Sequence, residues 1–149
     1  MIPPLSHGAD LFRVAFDLAP VGMLAVDAAG RILLANRESE RLLGWGSGEL
    51  VGRAVDELIP ERFRGSHPGF RSGFFSHPST RAMGAGRDLY ALRRDGSEIP
   101  VEIGLNPVKT GNDLVVVATM VDITARRRAE KLAREAEERE RQSRKLESL

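Results

Sequence analysis

"VGMLAVDAAGRILLANRESERLLGWGSGELVGRAVDELIP", residues 21–60, is the stretch on which the fold turns. Its first sixteen residues are two short apolar runs around Asp27-Ala28-Ala29-Gly30, the pattern of a β-hairpin. "ANRESERLLG" then sets Leu42 and Leu43 in a polar helical context that stops at Gly44. "ELVGRAVDELIP" reads as a further short helix closed by Pro60, whose ring cannot continue it. A hairpin followed at once by short helices predicts strands and helices segregated along the chain rather than alternating.

Upstream, residues 1–9 form a polar, proline-containing tail. "DLFRVAFDLAP" places Leu11, Phe12, Ala15, Phe16 and Leu18 at roughly helical spacing before Pro20, predicting a short amphipathic helix that needs a surface to cover it. Downstream, residues 86–124 read as three strands. Arg94-Asp95-Gly96 turns the first into the second, and the segment Thr110 to Asp113 turns the second into the third. Alternation in "IPVEIGL" puts Ile99, Val101, Ile103 and Leu105 on one face, while the nearly continuous apolar run "LVVVATMV" fits a central strand. Two strands, several short helices and three strands define an α+β domain, an antiparallel sheet with its helices on one face.

After Thr124 the sequence has no proline or glycine and is rich in Ala, Leu, Glu, Lys and Arg, which predicts a long helix. Ala129, Leu132, Ala136 and Leu146 take heptad a/d positions, with Arg139 and Ser143 on the two between. So polar a seam allows a solvated single helix or a weak two-stranded coiled coil. The Arg126-Arg127-Arg128 run, balanced by Glu130 and later acids, is expected to be a solvated helix face.

Composition narrows the function. A net charge of +1 gives no electrostatic case for nucleic acid or an anionic membrane. No apolar run approaches the ~20 residues that span a bilayer, and "MIPPLSHGAD" lacks the basic-then-apolar order of a secretory signal. The absence of cysteine excludes disulfides, thiolate metal sites and thiol catalysis, and is consistent with a cytoplasmic location. "GAGRDL" lacks the third glycine of a dinucleotide fingerprint and no βαβ unit surrounds it. His7 in the tail and His77 in the loop "SHPST" have no partner at metal-ligand spacing. Trp45, after Leu-Leu-Gly, suits packing or a dimer contact better than a cofactor platform.

The element order, with "AVDAAGRILLANRESERLLGWGSGELVGRAVDELIP", "RRDGSEIPVEI" and "MVDITARRRAE", resembles a PAS domain of the S-box type over residues 10–124. The resemblance implies a five-stranded PAS fold and a sensory dimer, paired through the N-terminal helix and a C-terminal coiled coil over residues 125–149. "RKLESL" is similar to the stretch that enters the phosphoacceptor helices of bacterial sensor histidine kinases. It implies a sensor module, not itself an enzyme, linked to a kinase core of a parent chain. Asp122 and Thr124, of the Asp-Ile-Thr triplet, match the junction between PAS core and output helix; they would equally serve as helix caps.

PAS domains bind haem, flavin, small acids, lipids or nothing, and a flavin adduct needs the cysteine this chain lacks. Residues 59–96 resemble, without a gap, the corresponding segment of FixL-type haem PAS domains of bacterial oxygen sensors. The resemblance implies haem b as the leading cofactor, with His67 on the iron-ligand position. Arg87 falls on the arginine that contacts bound oxygen and the propionates, and Ile103 and Leu105 on the apolar distal wall. Independently, a neutral imidazole in an apolar pocket suits haem iron. In a helix, His67, Phe70 and Phe74 would share a face. Pro68, Gly69 and Gly73 oppose a long helix, and Pro68 demands that one start near it, with Ser66 a possible cap. The alternatives are a cofactor-free dimerisation or protein-interaction module, with Phe70 and Phe74 as core, and a sensor of apolar small molecules such as acyl chains.

Overall fold

The structure, a computed structural model, describes residues 8–65, 67–76, 78–83 and 89–149. Helix α1 (Gly8–Leu18) precedes the hairpin β1 (Gly22–Val26) and β2 (Ile32–Ala35). Helices α2 (Arg37–Leu43), α3 (Glu61–Arg64) and α4 (His67–Ser76) follow, with one 3-10 turn at Val55–Leu58. Strands β3 (Arg81–Met83), β4 (Leu89–Leu92), β5 (Glu98–Thr110) and β6 (Asp113–Asp122) lead into helix α5 (Thr124–Glu147).

Every strand pairing is antiparallel. The sheet runs β2-β1-β6-β5, and the outermost position beside β5 is shared by β3 and β4, so it is five strands wide with its last strand in two pieces. The β3 segment was not expected from sequence: three residues, Arg81-Ala82-Met83, carry too little pattern to read. Turn chemistry explains the hairpins. Asp27 accepts from the Ala29 and Arg31 amides with its carboxylate, and Gly30 takes a φ of 85°. Gly96 and Gly111 supply φ of 89° and 64° at the next two turns.

Register divides the sheet into two faces. Leu24, Val26, Ile32, Ala91, Ile99, Val101 and Met120 point inward and form one core with Leu42 and Leu43 of α2, Leu50 and Leu58. The alternation expected for β5 holds, with Ile99 and Val101 almost fully buried. The outer face is partly open: Leu34, Val108 and Val121 are exposed, as are Leu11, Phe12, Val14 and Leu18 of α1. The longer helix expected before Pro60 is reduced to the 3-10 turn, because Gly48 and Gly52 take φ of 76° and 90°.

One buried amide ties these parts together. Asn36, fully buried, caps α2 by accepting from the Ser39 amide at 3.0 Å, and accepts from the Met23 amide at 2.8 Å. Its amide nitrogen donates to the carbonyls of Phe16 and Val21, both at 2.9 Å. Asn36→Ala removes the cap and strands several backbone groups, and should lower unfolding stability in denaturant by about 3–5 kcal/mol. Asn36→Asp keeps the acceptor but sets a carboxylate oxygen against two carbonyls. Hydrogen exchange should then rise in α1 far more than in β1; equal protection of α1 in both chains would show that its tether lies elsewhere.

Candidate functional site

Helix α4 begins at His67, so Pro68 falls in the first turn, where its missing N–H costs nothing. Gly69 and Gly73 are exposed, and a Cβ at either would meet nothing, so neither is required by close packing. Phe74 is buried and lies edge-on to Phe75, with ring centroids 6.3 Å apart. Arg71 pins the helix: its Nη1 reaches Asp56, after the first hairpin, at 2.6 Å, and its guanidinium lies across Gly30. A Cβ on Gly30 would stand 2.6 Å from that guanidinium. Gly30→Ala therefore adds a clash to a left-handed φ costing about 1–2 kcal/mol. It should destabilise the chain and raise hydrogen exchange in α4; unchanged α4 protection would mean Arg71 does not hold the helix.

Opposite the helices, Ile103 is half-buried against the core and Leu105 is half-buried two residues further along the same inward face. Their backbones pair with Met83 and Arg81 of β3. Arg87 lies outside the described residues, as do His7, Ser66 and His77 and the side chains of His67 and Phe70. Among the described residues, no group of three or more acidic or histidine side chains could hold a bare metal ion, and no helix is long and apolar enough to cross a membrane.

The second candidate, the junction, is fully described. Asp122 accepts from the Thr124 amide at 2.8 Å and from its hydroxyl at 2.5 Å. The N-cap residue is Ile123, whose side chain makes no capping bond, so Asp122 supplies that acceptor from one position earlier. Burial works to raise the Asp122 pKa, but the two Thr124 donors, with Arg93 and Arg41 nearby, hold it below the ordinary aspartate value. A depressed folded pKa stabilises the fold above the unfolded value, and that contribution is lost as pH falls through the folded one. The Thr124 amide shift should therefore titrate in acid with a midpoint below the ordinary aspartate value, and the step should vanish in Asp122→Asn. A midpoint at or above that value would contradict the assignment.

The arginine run is exposed at Arg126 and Arg128, as expected, with Arg126 4.0 Å from Glu130, but it also makes contacts the sequence did not announce. Arg126 donates to Glu102 at 2.7 Å and Arg127 to the Tyr90 hydroxyl at 3.0 Å, so two of the three fasten the first turn of α5 to the sheet. Arg62 of α3 reaches Glu98 at 2.6 Å and stacks over Phe63 and Tyr90. Tyr90, Glu102, Arg62 and Asn36 were not singled out from sequence. Period-two alternation in "LYAL" and "PVEI" puts Tyr90 and Glu102 away from the core, but their partners become visible only with the strand register. Trp45 packs against the core, with Arg53 and Arg94 over its ring at 4.2 and 5.0 Å.

An antiparallel sheet with helices packed on its inward face, leading through Asp-Ile-Thr into a long helix, defines a PAS domain. The PAS fold family matches residues 10–123, and the chain belongs to it. Sensor protein FixL of Bradyrhizobium diazoefficiens is 29% identical over 112 residues, 75% of this chain and 22% of that protein. Oxygen sensor protein DosP of Escherichia coli is 25% identical over 112 residues, 75% of this chain and 14% of that protein. The chain thus spans less than a quarter of either relative's length. The crystal structure of the PAS domain of an HTR-like protein from Haloarcula marismortui superposes with a TM-score of 0.66 at 25% identity, covering 77% of this chain and 91% of that one. The chain is a PAS sensory domain homologous to sensor proteins.

Proposed function

We propose that this domain senses a small ligand between α4 and the inward face of β5 and relays its state through α5 to a histidine kinase core in the parent chain. The phosphotransfer chemistry belongs to that core, and this domain is not itself an enzyme. The observation that carries the relay is the junction: Asp122 and Thr124 join the end of a central strand directly to α5. α5 buries none of its own residues, and Leu132 and Leu146 on its heptad seam are exposed. A second copy covers that seam and the open apolar residues of α1, making the relay a homodimer.

Haem b is the ligand we propose. Its support is the ungapped FixL-type segment around His67, and a relative named as an oxygen sensor. The described lining fits an apolar macrocycle: Phe74 is buried, and Ile103 and Leu105 are half-buried on the inward face. When bound, haem supplies an iron that takes a diatomic gas. His67 at the start of α4 would hold the iron, Arg87 would neutralise a propionate, and Phe70 and Phe74 would line the ring.

The test is the absorption spectrum and native mass of the chain after reconstitution with haemin. A Soret band that shifts or disappears in His67→Ala, on a protein with the mass of two chains, is expected. No band, or one indifferent to His67→Ala, removes haem and leaves the pocket to an apolar ligand or to none. A monomeric mass at high concentration removes the dimer.

A further inference from the structure

We infer that Tyr90 couples the helical layer beside the candidate pocket to α5, around the open edge of the sheet. The inference rests on the relay reading and deepens it by naming the contact that carries the signal across the sheet. Tyr90 pairs with Pro100 on the outer side of β4, while its neighbour Ala91 is buried in the core. Its ring is shared by two cations from different layers. The Arg62 guanidinium of α3 stands 5.4 Å from the ring centroid, and the Arg127 guanidinium of α5 stands 5.6 Å from it. Arg127 also donates to the Tyr90 hydroxyl at 3.0 Å.

Arg62 starts on the helix side of the sheet and is held at the edge by Glu98, 2.6 Å away. Residues 65 and 66 alone separate α3 from α4, so a displacement of α4 has a short path to Arg62. Two guanidinium groups on one ring repel each other, and the negative face of the ring and the hydroxyl oxygen hold both. Movement of Arg62 therefore alters the field that Arg127 feels and the ring position it bonds to. The neighbouring Arg126–Glu102 pair is more than half exposed on both sides and contributes little of this kind. Tyr90, half-buried and bonded in two directions, is the better conductor.

The test is hydrogen exchange of the whole 149-residue chain, read at the amides of residues 127–131 in α5. Arg62→Ala should raise exchange there by roughly two- to fivefold, the scale of one exposed cation–π contact, although Arg62 lies on α3. Arg62→Lys, which keeps the cation, should stay near wild type. In a Tyr90→Ala background Arg62→Ala should add nothing. If Tyr90→Ala fails to fold, Tyr90→Phe, which removes the hydroxyl alone, serves in the same cycle and should shrink the Arg62 effect. Unchanged α5 exchange in Arg62→Ala, or an effect of the same size without Tyr90, overturns the inference. No ligand is needed for this measurement. A chain with the coupling whose α5 ignores bound haem would instead overturn the relay and leave the coupling standing.

Discussion

Everything in this domain is arranged around a primary amide that water cannot reach. A buried polar group left unsatisfied costs about 1–3 kcal/mol per missing bond, so Asn36 is tolerable only where all its partners converge. Partners from three segments, the end of α1, the start of β1 and the first turn of α2, converge on Asn36 at the end of β2, so that four segments meet. The geometry of the four is fixed together, since moving any one orphans a donor or acceptor. Capping α2 at Asn36 also sets the direction in which Leu42 and Leu43 enter the core. The apolar packing is thus aimed by a hydrogen-bonding constraint rather than by shape alone.

From that corner the sheet separates two tasks. Its inward face is apolar at β1, β5 and β6 and forms one core with Leu42 and Leu43 of α2. Its outer face receives the first turn of α5 through Glu102 and Tyr90. The apolar core and the anchored first turn of α5 therefore lie on opposite sides of one hydrogen-bonded layer. Two sets of contacts join these sides. One runs along β6 into Asp122 and Thr124; the other passes round the edge where Arg62 and Arg127 meet Tyr90.

Much of the fold was legible because its punctuation is chemical. Asp27, Gly30, Gly96 and Gly111 announce turns that their φ values and side-chain bonds then realise, and Pro68 dictates where α4 starts. Alternation along β5 gave its buried face without knowledge of its neighbours. The Asp122–Thr124 bond was legible for the same reason, being local. What escaped was non-local or short. Arg62 and Tyr90, far apart in sequence, meet only through the β4–β5 register, and a run of three arginines reads as solvent-facing until the sheet beside it is known. Only a 3-10 turn at Val55–Leu58 forms where "ELVGRAVDELIP" reads as a helix, because Gly52 takes a left-handed conformation that a helix cannot pass through.

The two-piece outer strand has a consequence for assembly. A sheet edge is an invitation to add another strand, and proteins that avoid linear aggregation keep such edges short or interrupted. Here β2 closes one side with four residues, while β3 and β4 offer three and four on the other, the latter bearing Tyr90 beside Arg62. None of these is long enough to template a cooperative intermolecular ladder. Open-ended extension of the sheet from edge to edge is thereby disfavoured.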